Sequence, residues 1–337
     1  MTPERLLDIW RELGEQTPSP SGMHRRRLDT VSPVDIFACV FWPGRQPGIL
    51  VEGAGVFRPS GNRIPACRGV RTVHEVASVP SPRTVLRILL DDNALLDIFA
   101  VLSADLVQVV TAETTTGAGL TRCIDRLCMW QILFDRIPAE GLSEERQRGL
   151  FGELAVMDSL LLEALRPFPA VTSWVGPDPA NQDFIHAGTA VEVKTSLAKR
   201  HARVAISNEK QLDERPHEAL FLAHLRMDES AALGMSLASL VTRVRAKVEV
   251  DPAAARELDD RLTLAGYLDL HTPIYNRRKW LVTSMRFFRV EGAFPRLTEH
   301  NLPVGVGDIR YSIIADDLVQ FEASAEQVSS QLEDDNV

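Results

Sequence analysis

Asp183, Glu192 and Lys194 are the three side chains whose types and spacing could do chemistry together. They lie in residues 181–194, which read NQDFIHAGTAVEVK. Phe184, Ile185, Val191 and Val193 have strand character, and Ala187-Gly188 supplies a tight turn between them. A hairpin centred on that turn pairs Ile185 with Ala190 and Phe184 with Val191, which brings Asp183 opposite Glu192. Their Cβ atoms would then lie roughly 5 Å apart, and like charges at that spacing destabilise a sheet unless something positive sits between them. Lys194 is two residues past Glu192, so it projects from the same face. A divalent cation would complete the neutralisation. Asp, Glu and Lys converging on one face of a hairpin outline a site for metal-dependent hydrolysis.

Asp183 followed by Glu192-Val193-Lys194 resembles the PD-(D/E)XK nuclease superfamily, and the whole chain resembles the bacterial PD-(D/E)XK motif proteins, formerly a domain of unknown function. The triplet itself is short: roughly 0.7 acid-x-Lys matches are expected by chance in a chain of this composition. Its setting gives it weight. The match lies on a strand with alternating apolar residues, and the required acid lies on the strand before. Lysine occurs only at positions 194, 199, 210, 247 and 279 in a chain that otherwise uses arginine. A compact ammonium polarises a phosphate or water differently from a rigid guanidinium fork. The chain departs from the motif at Gln182, where the superfamily has Pro. Asp178 follows Pro177 literally but lies in a proline-rich turn, so the pairing geometry selects Asp183.

The resemblance implies a restriction-endonuclease-like core, an α-β-β-β-α-β mixed sheet flanked by helices. It also implies two further site residues. Related nucleases often carry a glutamate on the helix before the first strand, matched here by Glu153. They often carry a glutamine on the helix after the motif, matched here by Gln211. For each, a surface role is an equal alternative. The implied cofactor is Mg²⁺, with Mn²⁺ as substitute, held by Asp183 and Glu192, with the main-chain carbonyl of Val193 and Glu153 as further ligands. The implied substrate is DNA. The implied setting is restriction or anti-phage defence beside helicase, ATPase or methyltransferase components.

Composition sets wider bounds. At 337 residues, one large or two ordinary domains are expected. The net charge of −9 argues against a surface coated for nucleic acid, though not against a local basic groove. The basic run after the motif, with Lys199, Arg200 and Arg203, is the patch suited to a phosphate backbone, and a solvated loop is its equal alternative. Cys39, Cys67, Cys123 and Cys128 lack metal-ligand spacing and read as core thiols. His217, His224 and His271 are scattered and read as structural. No apolar run approaching the ~20 residues of a membrane span is read, and no signal layout, so a cytoplasmic protein without membrane association is expected. A homodimer is left open.

Along the chain, residues 3–14 read as an amphipathic helix with Leu6, Leu7, Ile9, Trp10 and Leu13 as its apolar positions. His24-Arg25-Arg26-Arg27 reads as a solvated loop or, less favoured, a phosphate-contacting arm. Strands are expected over 34–41, 48–52, 72–79 and 84–90, giving a β-rich domain over 1–92. Two helices over 93–112 and 118–137 are expected to form a connector, 93–140, with Trp130 as core. The nuclease-like domain spans 141–323. Its expected elements are a helix from Ser143 to about Leu165, whose Gly149 and Gly152 allow close approach to a sheet, and strands over 171–175, 184–194, 204–207 and 219–226. A helix over 209–214, helices over 235–249 and 252–266, and strands over 279–290 and 309–314 complete it. The acidic tail, 324–337, is expected to be disordered. The competing reading is a nuclease fold that has lost cleavage and serves as a module binding DNA or partner proteins. All three motif residues are present, which favours the enzyme.

Overall fold

The computed structural model describes the chain apart from residues 19–21, 29–31, 60–64, 66, 78–80, 137–140, 179, 198–201 and 334–337, and describes the backbone alone at 132–136. The chain divides into two compact units, Met1–Glu140 and Gly141–Val337.

In the first unit, α1 (Pro3–Gly14) buries Leu6, Ile9, Trp10 and Leu13 of the expected apolar positions, while Leu7 is half-buried at the edge of the stripe. Trp10 stacks on Phe99 at 5.2 Å and donates its indole N–H to the Gly48 carbonyl at 3.1 Å. Five antiparallel strands follow: β1 (Met23–Arg27), β2 (Asp35–Phe41), β3 (Gln46–Ala54), β4 (Val70–Ala77) and β5 (Arg83–Leu90). They lie in the order β1-β2-β3-β5-β4. The arginines of β1 are neither loop nor free arm. Arg25 pairs with Glu52 at 2.7 Å, Arg26 with Glu12 at 2.6 Å, and Arg27 with Asp35. The sequence hid this because the partner acids lie on other elements.

The helices expected as a connector, α2 (Leu96–Thr111) and α3 (Thr116–Arg136), belong to this first unit. Asp105 of α2 accepts from Trp130 of α3 at 2.6 Å and from Arg126 at 2.8 Å, which fastens the pair. Residues 93–111 are also long and apolar enough to cross a membrane by length and composition, contrary to the sequence reading, and half of that window is buried within the fold. Cys39, Cys67 and Cys123 are buried, whereas Cys128 is exposed, so only three of the four are core thiols.

The second unit opens with α4 (Glu144–Val156), capped by Ser143, a π-helical stretch Met157–Leu161 and α5 (Leu162–Ala164). Where a strand was expected over 171–175, the chain forms α6 (Pro167–Thr172), and only Trp174 makes a bridge, to Phe184. Pro167 in the first turn is pre-set for a helix, which outweighs the strand preference of Val171 and Val175. The sheet contains β6 (Phe184–His186), β7 (Thr189–Leu197), β9 (Ala219–Glu229), β10 (Trp280–Arg289) and β12 (Glu322–Ala323). Its order is β12-β10-β9-β7-β6. β7 and β9 are parallel; the other neighbours are antiparallel. A separate pair, β8 (Arg203–Ile206) with β11 (Tyr311–Ile314), lies between in sequence. The helix expected over 209–214 is a turn, so the α-β-β-β-α-β order is not the order of elements seen. The expected pair of later helices is present as α7 (Leu237–Val248) and α8 (Pro252–Leu264), followed by α9 (Thr272–Tyr275).

Alternation along β7 divides its side chains between two cores. Val191 and Val193 join Leu150, Leu154, Val241 and Leu258 beneath the helices. Ala190 joins Val204, Leu222 and Phe288 on the opposite face. The tail residues expected to be disordered include α10 (Ala325–Leu332), which has a capping box and buries Val328 and Leu332. Two apolar residues one turn apart suffice to dock it, which acidic composition alone concealed.

The β6–β7 turn places both Ala187 (φ 44°) and Gly188 (φ 78°) in the left-handed region, as a two-residue hairpin turn of right-handed twist demands. Glycine meets this at Gly188; alanine at 187 carries a Cβ penalty. Ala187 is exposed, so nothing else opposes its replacement. Ala187→Gly should raise stability by roughly 0.5–1 kcal/mol after the added chain entropy of glycine is deducted. Urea unfolding checks this: the midpoint should rise with unchanged slope.

Candidate active site

The hairpin register is the one the turn dictates: Phe184 opposite Val191, Ile185 opposite Ala190 and His186 opposite Thr189. Asp183, one residue before β6, therefore arrives at the level of Glu192. Its carboxylate Oδ2 accepts the main-chain N–H of Val193 at 2.7 Å. Its own carbonyl accepts the N–H groups of Val175 at 2.8 Å and Gly176 at 2.9 Å. Asp183 is thus fixed by three main-chain donors. Glu192 is 1% exposed. Its Oε1 lies 2.5 Å from Lys194 Nζ, whereas its Oε2 is buried without a hydrogen-bond partner among the described residues.

Glu153 comes to the same place from the helix layer. A Cβ at Gly152 would lie 2.3 Å from the Thr195 methyl, so glycine is what lets α4 come this close to β7. Gly149 has open space around it and plays no such part. Glu153 Oε2 accepts the indole N–H of the buried Trp174 at 2.8 Å. Gly176 lies beneath: a Cβ there would sit 2.9 Å from Glu153 Oε2 and 3.0 Å from Asp183 Oδ1. Two carboxylate oxygens therefore border one gap that only a missing side chain keeps open.

The charges interact strongly. Burial, reinforced by the Asp183 charge, pushes the Glu192 carboxyl up to about 8, with Lys194 pulling the other way. Burial and Asp183 raise Glu153 well above the carboxylate range, while the Trp174 hydrogen bond lowers it. Asp183 is raised by burial against the opposing pull of Lys194 and the Val193 N–H. Burial alone would lower Lys194, but Glu192, Asp183 and Glu153 outweigh it and raise the ammonium above its ordinary value. Three acids and one lysine meet here, and burial first, with mutual repulsion of Asp183 and Glu192 next, favours the neutral form of the acids.

A family model described as "Putative PD-(D/E)XK family member, (DUF4420)" matches residues 6–316. The chain belongs to this PD-(D/E)XK family. No curated protein and no solved structure matches it. The residues fit the divalent cation this family implies. The donors are hard carboxylate oxygens, one of them buried and unpartnered, and they sit where a positive charge is lacking. Among the described residues no three His, Cys, Asp or Glu side chains stand close enough to enclose an ion by themselves.

The structure of this PD-(D/E)XK protein brings together Asp183, Glu192, Lys194 and Glu153, but treats the other expected site residues differently. The Gln211 side chain turns to the local backbone, accepting from Ser207 N at 2.8 Å, so it caps a turn. Val193 contributes its N–H to Asp183. Arg203 is exposed on β8, and Lys199 and Arg200 lie outside the described residues. Two supporting residues escaped the sequence reading. Trp174 falls within the strand expected over 171–175, and Gly176 immediately precedes the proline-rich turn, with no sign of contact to the acids. The latter's position just before Pro177, between strand-like runs, was the available signal. His224 is buried, hydrogen-bonded to Ser196 Oγ at 2.8 Å and lowered to about 4 by burial and by Arg286 and Arg226.

These shifts fix a pH dependence. Glu192 rises from 4.5 to about 8, so between those values the folded state binds more protons than the unfolded chain and stability falls as pH rises. His224 falls from 6.5 to about 4 and acts in the opposite sense, but its effect is complete by pH 6.5. In chelator, the melting temperature should therefore fall between pH 6.5 and 8. In Glu192→Gln the fall should be shallower. Differential scanning calorimetry at several pH values checks this, and parallel slopes for the two proteins would remove Glu192 as its source.

Proposed function

We propose that this PD-(D/E)XK protein hydrolyses phosphodiester bonds of DNA as an endonuclease that uses Mg²⁺, with Mn²⁺ as substitute. The observation that carries this reading is the meeting of Asp183, Glu192, Glu153 and Lys194 at one place: Lys194 Nζ lies 2.5 Å from Glu192, Asp183 is held to Val193 N, and Glu153 and Asp183 oxygens both border the gap at Gly176. When bound, the cation would supply Lewis-acid polarisation of a phosphoryl oxygen and orient a water for attack. Asp183 and Glu192 would hold it through carboxylate oxygens, with the Val193 carbonyl as a further donor.

Glu192, Asp183 and Glu153 favour the charged ammonium of Lys194, which suits it to stabilise negative charge developing on the phosphate. Glu153, steadied by Trp174, is placed to orient the water or hold a second cation. Asp183 is fixed by backbone donors before substrate arrives, so little reorganisation is left for the reacting state. A restriction or anti-phage role, with helicase, ATPase or methyltransferase partners, is part of the same proposal and rests on the family alone.

Purified protein incubated with plasmid and Mg²⁺ should nick or linearise it. Glu192→Ala and Lys194→Ala should each lower the rate by about 100-fold or more. Equal cleavage by all three proteins would end the catalytic assignment. Binding of DNA by the wild type without cleavage would favour the silent binding module.

A further inference from the structure

Glu192, Lys194 and Ser196 alternate along β7 and project from one face of the sheet. The parallel ladder sets Leu222, His224 and Arg226 of β9 beside them in that order, and β10 adds Phe288, Arg286 and Ser284. Three rows therefore cross the sheet. The row of Glu192, Leu222 and Phe288 is buried. In the row of Lys194, His224 and Arg286, only His224 is buried. The row of Ser196, Arg226 and Ser284 is half-buried throughout. The face thus opens to solvent towards the carboxyl ends of β7 and β9. In the other direction it is closed, because Ala190 and Leu222 share a core with Val204, Ile206 and Ile313 of the two-stranded ribbon formed by β8 and β11. A phosphodiester chain that reaches Lys194 and continues along β7 meets Ser196 next.

Ser196 Oγ and His224 Nε2 are hydrogen-bonded at 2.8 Å. We propose that this hydroxyl binds the phosphate next to the one that meets Lys194, with His224 as the residue that positions it. The inference rests on the hydrolytic reading above and adds a contact to the strand being cut. Ser196 lies roughly 6.6 Å along the strand from Lys194, a step that one nucleotide can span. A serine hydroxyl has one proton to give and two lone pairs. An imidazole that donates from Nε2 occupies a lone pair and leaves the hydroxyl proton for an anion. A main-chain carbonyl could satisfy a buried imidazole equally well; a half-buried hydroxyl one row beyond Lys194 satisfies it and also faces the open end of the sheet.

The charges around the pair suit an anion. Burial keeps His224 neutral, and Arg286 and Arg226 each act on it more strongly than Asp316 does in the opposite sense. The acids stand at the borders of these rows. Glu322 holds Arg286 at 2.9 Å, Asp316 lies 3.9 Å from Arg286, and Asp228 is exposed one row further along β9.

Fluorescence anisotropy with a labelled mixed-sequence DNA duplex in Ca²⁺, together with plasmid cleavage in Mg²⁺, tests the assignment. Ser196→Ala should raise Kd and KM about tenfold, the size of one hydrogen bond to a charged group, with kcat nearly unchanged. Ser196→Thr keeps the hydroxyl and should behave as the wild type. His224→Gln, whose amide can donate to Ser196, should also stay close to the wild type, whereas His224→Leu should lose as much as Ser196→Ala. The double variant Ser196→Ala/His224→Leu should bind no worse than Ser196→Ala, because His224 acts through the hydroxyl. Should His224→Leu fail to fold, the contrast between alanine and threonine at the half-buried Ser196 decides alone. Wild-type Kd and KM in Ser196→Ala, an equal loss in Ser196→Thr, or no duplex binding by the wild type overturns the proposal. The two readings fail separately. If the serine contrast holds in Ca²⁺ yet the wild type leaves plasmid intact in Mg²⁺, the hydrolytic reading falls and Ser196 stands as a DNA contact. If Ser196→Ala cleaves plasmid with wild-type KM, the contact falls and hydrolysis stands.

Discussion

The register of a single hairpin governs the second unit. A two-residue turn at Ala187-Gly188 leaves no freedom in how β6 meets β7, and side chains alternate with period two. A slip of one residue would carry Glu192 and Lys194 into the apolar layer beneath the helices and bring Val191 and Val193 out to the other face. Both faces of β7 are buried, so such a slip would cost both cores at once. The positions of the acids are therefore fixed by the burial of apolar side chains that take no part in their chemistry. The hydrogen bond from Val193 N to Asp183 Oδ2 joins the two: the apolar strand residue holds the aspartate.

What this register assembles is unfavourable by itself. Burying one carboxylate beside another is costly, and a single ammonium relieves only part of it. The raised Glu192 and Glu153 carboxyls express that imbalance, as does the Glu192 oxygen that finds no partner. Packing above and below tolerates it: Trp174 and Phe184 are wholly buried beside the acids, and α4 reaches the sheet through Gly152. Such local conflict in a well-packed setting is expected where a fold holds a reactive site, because stability lost there is supplied by the rest of the core.

The hairpin was legible because three independent signals agreed: alternation, turn chemistry and the opposition of like charges. The amphipathic helix over 3–14 and four of the five strands of the first unit were legible for the same reason of periodicity; β1, with its run of arginines, was not. Where the reading failed, a local signal competed with one that sequence does not display. Val171 and Val175 suggested a strand, but Pro167 and tertiary contacts made α6 and left Trp174 to bridge alone. Gln211 looked like a helix residue turned to the site, but Asn208 and Ser207 close a turn that captures its amide. Arg25, Arg26 and Arg27 looked like an exposed cluster because their acids lie 27, 14 and 8 residues away. Glu153 was assigned from family likeness, and the features that hold it, an indole N–H and a gap at Gly176, have no spacing pattern to find.

Gln182 shows how the chain compensates for its departure from the motif. Proline before the aspartate would stiffen the backbone by fixing φ. Gln182 is 4% exposed and stiffens it from outside. Its Nε2 donates to the Lys210 carbonyl at 2.9 Å, and its Oε1 meets His217 Nε2 at 3.2 Å. The turn it grips continues to Glu209, whose carboxylate accepts Ile309 N at 3.2 Å, two residues before β11 begins. Two hydrogen bonds, Gln182 to the Lys210 carbonyl and Ile309 N to Glu209, thus tie the segment before Asp183 and the approach to β11 to the same turn. A proline at 182 could hold Asp183 but has no side-chain donor for Lys210, so it would fix the acid and release the ribbon's anchor. The glutamine serves both, which gives a physical reason for this chain to carry an amide where the motif carries a ring.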